Sequence, residues 1–169
     1  MTGLTLNESV LGFSVKVAEM LRERYKGRLL SVCLFGSAAR RTLRKGSDID
    51  FFVVIKEACK TYHKRVKDIM PLLILIRETD EYRYLEEFGL DLEPSFLIST
   101  VEEVTQHPPI LIEISQDGKI LFDDRDFLRK ELTEVVNTMK RLGSVKKETV
   151  HGHYWVLKPG MKSGEVIAI

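Results

Sequence analysis

Apolar residues recur along the chain with two periods, which predicts helices alternating with short buried strands. From Val10 to Leu21 they return every three or four positions, so we expect a first helix that stops at Gly27. The segments 29–35 and 49–55 are short and almost entirely apolar, as is typical of buried strands. The chain is therefore predicted to begin with a helix followed by two strands.

The middle of the chain continues this alternation. Apolar positions spaced by three or four predict a helix over 58–76 that is kinked at Pro71, although residues 72–76 alone would also suit a strand. A third strand is predicted over about 90–98. A turn or short helix is expected to follow near Thr100.

The carboxy-terminal part divides into a regular helix and an irregular arm. A turn at 116–119 leads into a short strand, and the helical spacing over 127–142 ends at Gly143. Glycine and proline interrupt the later apolar positions, so residues 143–169 are expected to be an extended tail that packs on the domain or on a partner. Residues 1–142 then form one α/β (α+β) domain, with a small mixed β-sheet, flanking helices and a carboxy-terminal helix.

Composition limits the class of protein. The 169 residues are 44% hydrophobic and carry a net charge of +1, which suits one globular core and gives no sign of a nucleic-acid partner. We find neither a long apolar span nor a secretory signal, so we expect a soluble, cytoplasmic protein with no membrane partner. The two cysteines, Cys33 and Cys59, make neither a disulfide framework nor a metal cluster.

Charge is unevenly spread despite the neutral total. Residues 1–47 hold nine basic and three acidic side chains, whereas residues 77–103 hold two basic and nine acidic ones. Two solvated faces of opposite sign would explain this pattern. A fold that brought the two regions together would instead set basic groups beside carboxylates, which suits phosphates and metal ions.

A small-residue turn follows the first predicted strand. Gly36 permits a close backbone approach, and Ser37 offers a hydroxyl group at the start of a helix whose free N–H groups would face an anion. Arg40, one turn later, could add a charge-assisted hydrogen bond to the same phosphate. A Gly-Ser pair alone is usually only a turn.

Two carboxylates stand at the head of the second predicted strand. Asp48 and Asp50 are two residues apart, so their side chains share one face while Ile49 points to the other. Such a pair repels itself unless a cation lies between its members, and Mg²⁺ prefers oxygen ligands. Taken alone, this spacing is more often a cap or a solvated edge.

The combination of these features resembles the signature of the DNA polymerase beta-like nucleotidyltransferase superfamily. The order is a strand, Gly36-Ser37, a basic gap, Asp48-Ile49-Asp50 and an apolar run, and the detailed match covers about residues 30–55. Because no specificity domain is attached, the chain is most similar to the minimal nucleotidyltransferases, antitoxin-like proteins often paired with a helical partner.

The resemblance implies the nucleotidyltransferase fold and transfer of a nucleoside monophosphate from a nucleoside triphosphate, with ATP as the expected donor, to a hydroxyl acceptor. Gly36 and Ser37 match the triphosphate-binding positions. Asp48 and Asp50 match carboxylates that hold two divalent ions, either Mg²⁺ or Mn²⁺. The acceptor could be a protein or a small molecule. The alternative is a non-catalytic nucleotide- or protein-binding module that keeps the fold.

The superfamily also requires a third carboxylate from a later strand, to ligate a metal and orient the acceptor hydroxyl. Asp91 and Glu93 are the candidates, and on one continuous strand both would lie on the same face. We favour Glu93, because the apolar strand continues after it. Pro94 departs from the family pattern and indicates an edge strand or a strand start.

Three histidines could suggest a second metal site. His151 and His153 are two residues apart and His107 lies earlier in the chain, but no cysteine or third local ligand accompanies them. We therefore predict no zinc site. Tyr154 and Trp155 are expected to fix the tail to the domain or to a partner.

Overall fold

The structure, a computed structural model, describes residues 4–57, 61–150, 152–162 and 167. In these ranges the strands are β1 (Leu29–Phe35), β2 (Asp48–Ile55), β3 (Glu93–Thr100), β4 (Lys119–Asp123), β5 (Val145–Thr149) and β6 (Gly152–Val156). The helices are α1 (Leu6–Tyr25), α2 (Gly36–Arg40), α3 (Tyr62–Arg77), α4 (Asp80–Glu86), α5 (Val101–Val104), α6 (Ile110–Asp117) and α7 (Phe127–Leu142).

Strands β1 to β4 form one mixed sheet in the order β3-β2-β1-β4. Strand β1 pairs antiparallel with β2 and β4, whereas β2 and β3 run parallel. The parallel pair requires a crossover, which α3 and α4 supply. This arrangement confirms the predicted small mixed sheet with flanking helices.

Alternation along the strands divides the core into two layers. In β2, Ile49, Phe51 and Val53 face a cluster that contains α1, while Phe52 and Val54 face a second cluster that contains α6 and α7. Residues 51–54 are all fully buried, because β2 is covered on both faces. Asp48 and Asp50 lie on the same face of β2 as Phe52 and Val54.

Local sequence signals explain the best-predicted helices. Thr5 and Glu8 form a capping box at the start of α1, and the buried residues of this helix follow the predicted apolar stripe. Helix α7 has the predicted bounds and ends at Gly143, which adopts a left-handed conformation.

The Asp123 carboxylate joins α7 to the sheet. It accepts hydrogen bonds from the Ser31 hydroxyl at 2.6 Å and from the backbone N–H groups of Leu128 and Arg129 at 2.9 and 3.0 Å. One side chain thus connects β1 with the first turn of the carboxy-terminal helix.

Several elements differ from the prediction. Residues 72–76 are helical and not a strand, and Pro71 lies inside α3; the predicted start of this helix near Ala58 is outside the described residues, as is Cys59. Helices α4 and α6 were not predicted. Strand β3 begins at Glu93, three residues later than expected.

The first part of the expected tail is a hairpin. Strands β5 and β6 pair antiparallel, His153 contacts the Glu113 carboxylate of α6 at 3.0 Å, and Trp155 and Leu157 pack against the second core cluster. Tyr154 instead remains half exposed. Such a hairpin is marginally stable alone, so these contacts hold it in place.

No helix in the described part of the chain combines the length and apolar character needed to cross a membrane.

The junction between α6 and β4 generates a stability prediction. A Cβ atom at Gly118 would lie 2.5 Å from the Ile114 carbonyl oxygen, so Gly118→Ala should lower the free energy of unfolding by about 1–3 kcal/mol. At Gly12, within α1, a Cβ would meet nothing within 4 Å, and Gly12→Ala should raise that free energy by about 0.5–1 kcal/mol. Urea denaturation measures both variants; a neutral Gly118→Ala would contradict the contact.

Candidate active site

The two predicted carboxylates lie together at the start of β2. Asp48 is exposed and Asp50 partly buried, and the alternation of β2 places them on one face with Ile49 fully buried on the other. The two carboxylates therefore share one face of β2, where the sequence placed them.

The glycine turn after β1 lies directly against this pair. Phe35 is the register partner of Asp50, so the chain leaves β1 beside that carboxylate. Gly36 begins α2 with φ +68°, and a Cβ atom there would lie 2.5 Å from Asp50 Oδ2. Only glycine therefore meets both the conformation and the close approach.

Burial makes the charge on Asp50 unfavourable. The pKa of Asp50 is raised, first by burial and further by the Asp48 charge, while a hydrogen bond from Ser95 and the charge of Arg40 act in the opposite direction. A cation at this edge would relieve the repulsion between the two carboxylates. Their oxygen donors therefore fit a divalent ion.

Arg40 lies at the end of α2, within electrostatic reach of Asp50. Its Nη1 atom is 3.8 Å from Asp117 Oδ2 at the end of α6, and its side chain is partly exposed. The guanidinium is thus held at the same edge of the sheet as the carboxylates.

The two candidates for the third carboxylate have different settings. Glu93 is the first residue of β3 and the register partner of Asp48, so it lies at the predicted edge. Asp91 precedes the strand with φ +49°, which corrects the expectation that both acids share one strand face. Asp91 Oδ2 is 3.6 Å from Lys45 Nζ, and its side chain is 73% exposed.

The carboxylate of Glu93 already has a cationic partner. Arg77 Nη2 donates to Glu93 Oε2 at 2.7 Å. Across the part of the chain that the structure describes, no three side chains among His, Cys, Asp and Glu are gathered closely enough to hold a metal ion. Asp48, Asp50 and Glu93 are therefore neighbours in register but are not assembled as one ligand set.

Pro94 lies on an edge strand, one of the two alternatives that its sequence context indicated. It is the second residue of β3, and β3 is an edge strand of the sheet. Its pairing with Ile49 keeps the Glu93 and Ser95 positions aligned with Asp48 and Asp50.

Three further residues at this edge were not predicted from the sequence. Ser95 is the register partner of Asp50, and its spacing of two from Glu93 could have revealed it once β3 was placed. Arg77 and Tyr82 come from α3 and α4, and nothing in their spacing links them to the strands. The Tyr82 hydroxyl donates to the Leu92 carbonyl oxygen at 3.2 Å.

His107 and His153 lie apart, each within hydrogen-bond distance of a different glutamate. His107 Nε2 is 2.9 Å from Glu131 Oε2, while His153 contacts Glu113. His151 lies outside the described residues.

The close approach at Gly36 leads to a prediction with a matched control. Gly36→Ala should lower stability by about 1–2 kcal/mol because φ is positive, and should weaken Mn²⁺ binding because the new methyl group displaces the Asp50 carboxylate. Gly46 has φ +73° with nothing within 4 Å of a Cβ, so Gly46→Ala should show the stability loss alone. Calorimetric titration with Mn²⁺ separates the two effects; equal Mn²⁺ affinities would refute it.

Asp50→Asn should raise the melting temperature at pH 7 in the presence of a chelator. Because the folded state raises the pKa of Asp50, its ionised form costs stability once pH exceeds that pKa. The advantage of the variant should shrink as pH falls through the raised pKa of the folded protein, and it should be lost below the ordinary value of 3.8, where the carboxyl is neutral in both the folded and the unfolded chain. Asp91→Asn, at an exposed position, is the control, and a lower melting temperature for Asp50→Asn would be the contrary result.

Similarity to known proteins covers most of the chain. The family model described as "Nucleotidyltransferase domain" matches residues 15–135. Spectinomycin 9-adenylyltransferase of Enterococcus faecalis is 27% identical over 145 residues, which are 82% of this chain and 53% of that protein. The chain therefore spans about half the length of that relative.

Two further similarities are to a second relative and to a solved structure. A protein of Methanocaldococcus jannaschii named as a candidate protein adenylyltransferase, MJ1305, is 27% identical over 124 residues, covering 72% of this chain and 77% of its own length. A solved structure described as a toxin-antitoxin with AMP-PNP aligns with a TM-score of 0.47 at 16% identity, covering 75% of this chain and 86% of that one. The family match spans more than half of the sequence, so the chain belongs to the nucleotidyltransferase domain family.

Proposed function

We propose that this protein is a metal-dependent nucleotidyltransferase that moves a nucleoside monophosphate from a nucleoside triphosphate to a hydroxyl acceptor. The acceptor oxygen forms a bond to the α-phosphorus, the bond to the β-phosphate oxygen breaks, and pyrophosphate leaves. The acceptor proton passes to a base or to water. ATP is the proposed donor, since both relatives carry the name adenylyltransferase, one of them as a candidate.

The approach of Gly36 to Asp50 is the observation that supports this function most strongly. It sets a glycine turn and the start of α2 within van der Waals reach of Asp50, one member of the carboxylate pair. A phosphate needs N–H donors, and a divalent ion needs oxygen donors. Both are available at one edge of the sheet.

Each residue of this edge has a role in the proposal. The backbone at Gly36 and the hydroxyl of Ser37 bind the triphosphate, and Arg40 adds a charge-assisted contact to it. These contacts orient the α-phosphate toward the acceptor, which is the main contribution a protein makes to phosphoryl chemistry.

Asp48 and Asp50 would hold the divalent ions, two Mg²⁺ in the proposal, with Mn²⁺ as a substitute. When bound, such an ion neutralises phosphate charge and lowers the pKa of a coordinated hydroxyl group. Glu93 is proposed as the third carboxylate, which orients the acceptor hydroxyl and completes the ligand set. Asp91 is the weaker candidate, because its carboxylate lies beside Lys45 and outside the strand.

A second candidate function rests on the Arg77–Glu93 ion pair. If Glu93 stays on Arg77, the protein would be a nucleotide- or protein-binding module with the nucleotidyltransferase fold and no turnover. The two functions differ in one outcome: the module binds ATP and Mg²⁺ but transfers nothing.

Transfer of label from ATP tests the proposal. We expect the protein, with α-labelled ATP, Mg²⁺ and cell extract, to label a protein or a small molecule, since the relatives are named for one acceptor of each kind. The protein and small-molecule fractions are therefore counted separately. Asp48→Asn should reduce transfer at least about a hundredfold, because it removes a proposed ion ligand.

Asp91→Asn is the matched control, because it makes the same chemical change at an exposed position near the site. It should retain transfer within about threefold of the wild type. Undiminished transfer by Asp48→Asn would refute the role of the carboxylate pair. Binding of ATP without transfer to either fraction would favour the binding module.

A further inference from the structure

The Glu93 side chain does not point toward Asp48 and Asp50, as its proposed role as a third metal ligand would require. Register places it beside Asp48, yet its carboxylate points to the guanidinium of Arg77, the last residue of α3. The neighbouring Tyr82 hydroxyl donates to the Leu92 carbonyl oxygen and also interacts with the Glu93 carboxylate. The edge therefore contains the third carboxylate, but it is directed toward α3 instead of toward the other two.

This ion pair is exposed at both ends. The side chain of Arg77 is 54% exposed and that of Glu93 is 50% exposed. Exposed pairs of this kind are weak and are easily exchanged for another partner. An anionic group on an incoming substrate could therefore occupy the guanidinium and leave the Glu93 carboxylate free.

We propose that Arg77 is a positioning residue that keeps Glu93 away from the Asp48–Asp50 pair in the free protein and releases it when substrate phosphate reaches the guanidinium. The full ion-binding set then forms only with the triphosphate present. This inference rests on the proposed function for the identity of the substrate. The competition between Arg77 and a bound ion for Glu93 can be measured without any reaction.

Mn²⁺ binding, followed by electron paramagnetic resonance of the free ion, tests the competition in the absence of nucleotide. Arg77→Gln should bind Mn²⁺ about two- to fivefold more tightly than the wild type, which is the range expected from loss of one exposed ion pair. Arg83→Gln is the control, since Arg83 is a similarly exposed arginine that lies 3.7 Å from Asp80 on α4.

Removing a positive charge could strengthen Mn²⁺ binding through space, whatever Glu93 does. A double-mutant cycle separates the two effects. In a Glu93→Gln background, Arg77→Gln should give no gain, because the freed ligand is no longer there. A gain of equal size in both backgrounds would overturn the proposal, as would unchanged or weaker Mn²⁺ binding by Arg77→Gln.

A non-hydrolysable ATP analogue tests the release step. With the analogue bound, wild type and Arg77→Gln should bind Mn²⁺ with the same affinity, since the guanidinium is occupied in one and absent in the other. A difference that persists at saturating analogue would overturn the release step. Failure of the proposed function is distinguishable, because the wild type would then bind Mn²⁺ no better than Asp48→Asn.

Discussion

The register of β2 between its two neighbours is the constraint on which the site depends. Residues 51–54 are buried on both faces, and a shift of one residue would move every apolar side chain to the wrong layer. The same hydrogen bonds that satisfy this strand fix Asp50 opposite Phe35 on one side and opposite Ser95 on the other. Packing of the core and placement of the carboxylates are therefore one requirement.

Secondary-structure elements were predicted correctly where a single local sequence pattern was strong. The bounds of β1 and α7 were predicted as observed, because an uninterrupted apolar run and a clean helical period each leave one interpretation. Helix α4 was missed, since only Tyr82 and Leu85 of its seven residues are buried. Helix α6 was missed because eight residues are too few to show a period.

The site could be predicted only as far as contacts follow from chain order. Gly36, Asp48 and Asp50 lie on adjacent segments, so a strand-turn-strand pattern predicts that they meet. The partnership of Arg77 with Glu93 depends on where α3 ends relative to β3, and that distance is set by helix packing. Asp91 shows a related limit, because its left-handed backbone arises from the turn before the strand and not from residue spacing.

The parallel pairing of β2 with β3 also affects the order in which the strands pair during folding. Asp48 and Glu93 are 45 positions apart, whereas Phe35 and Asp50 are separated by 15. Closing the longer loop costs about 1 kcal/mol more in chain entropy, and contacts distant in sequence form late. A chain emerging from the ribosome can thus join β1 to β2, and with them Gly36 to Asp50, before residue 93 has emerged. Strand β3, which carries Glu93 and Ser95, pairs with β2 afterwards. A product truncated before β3 would therefore expose Asp48 and Asp50 without Glu93 and Ser95 beside them.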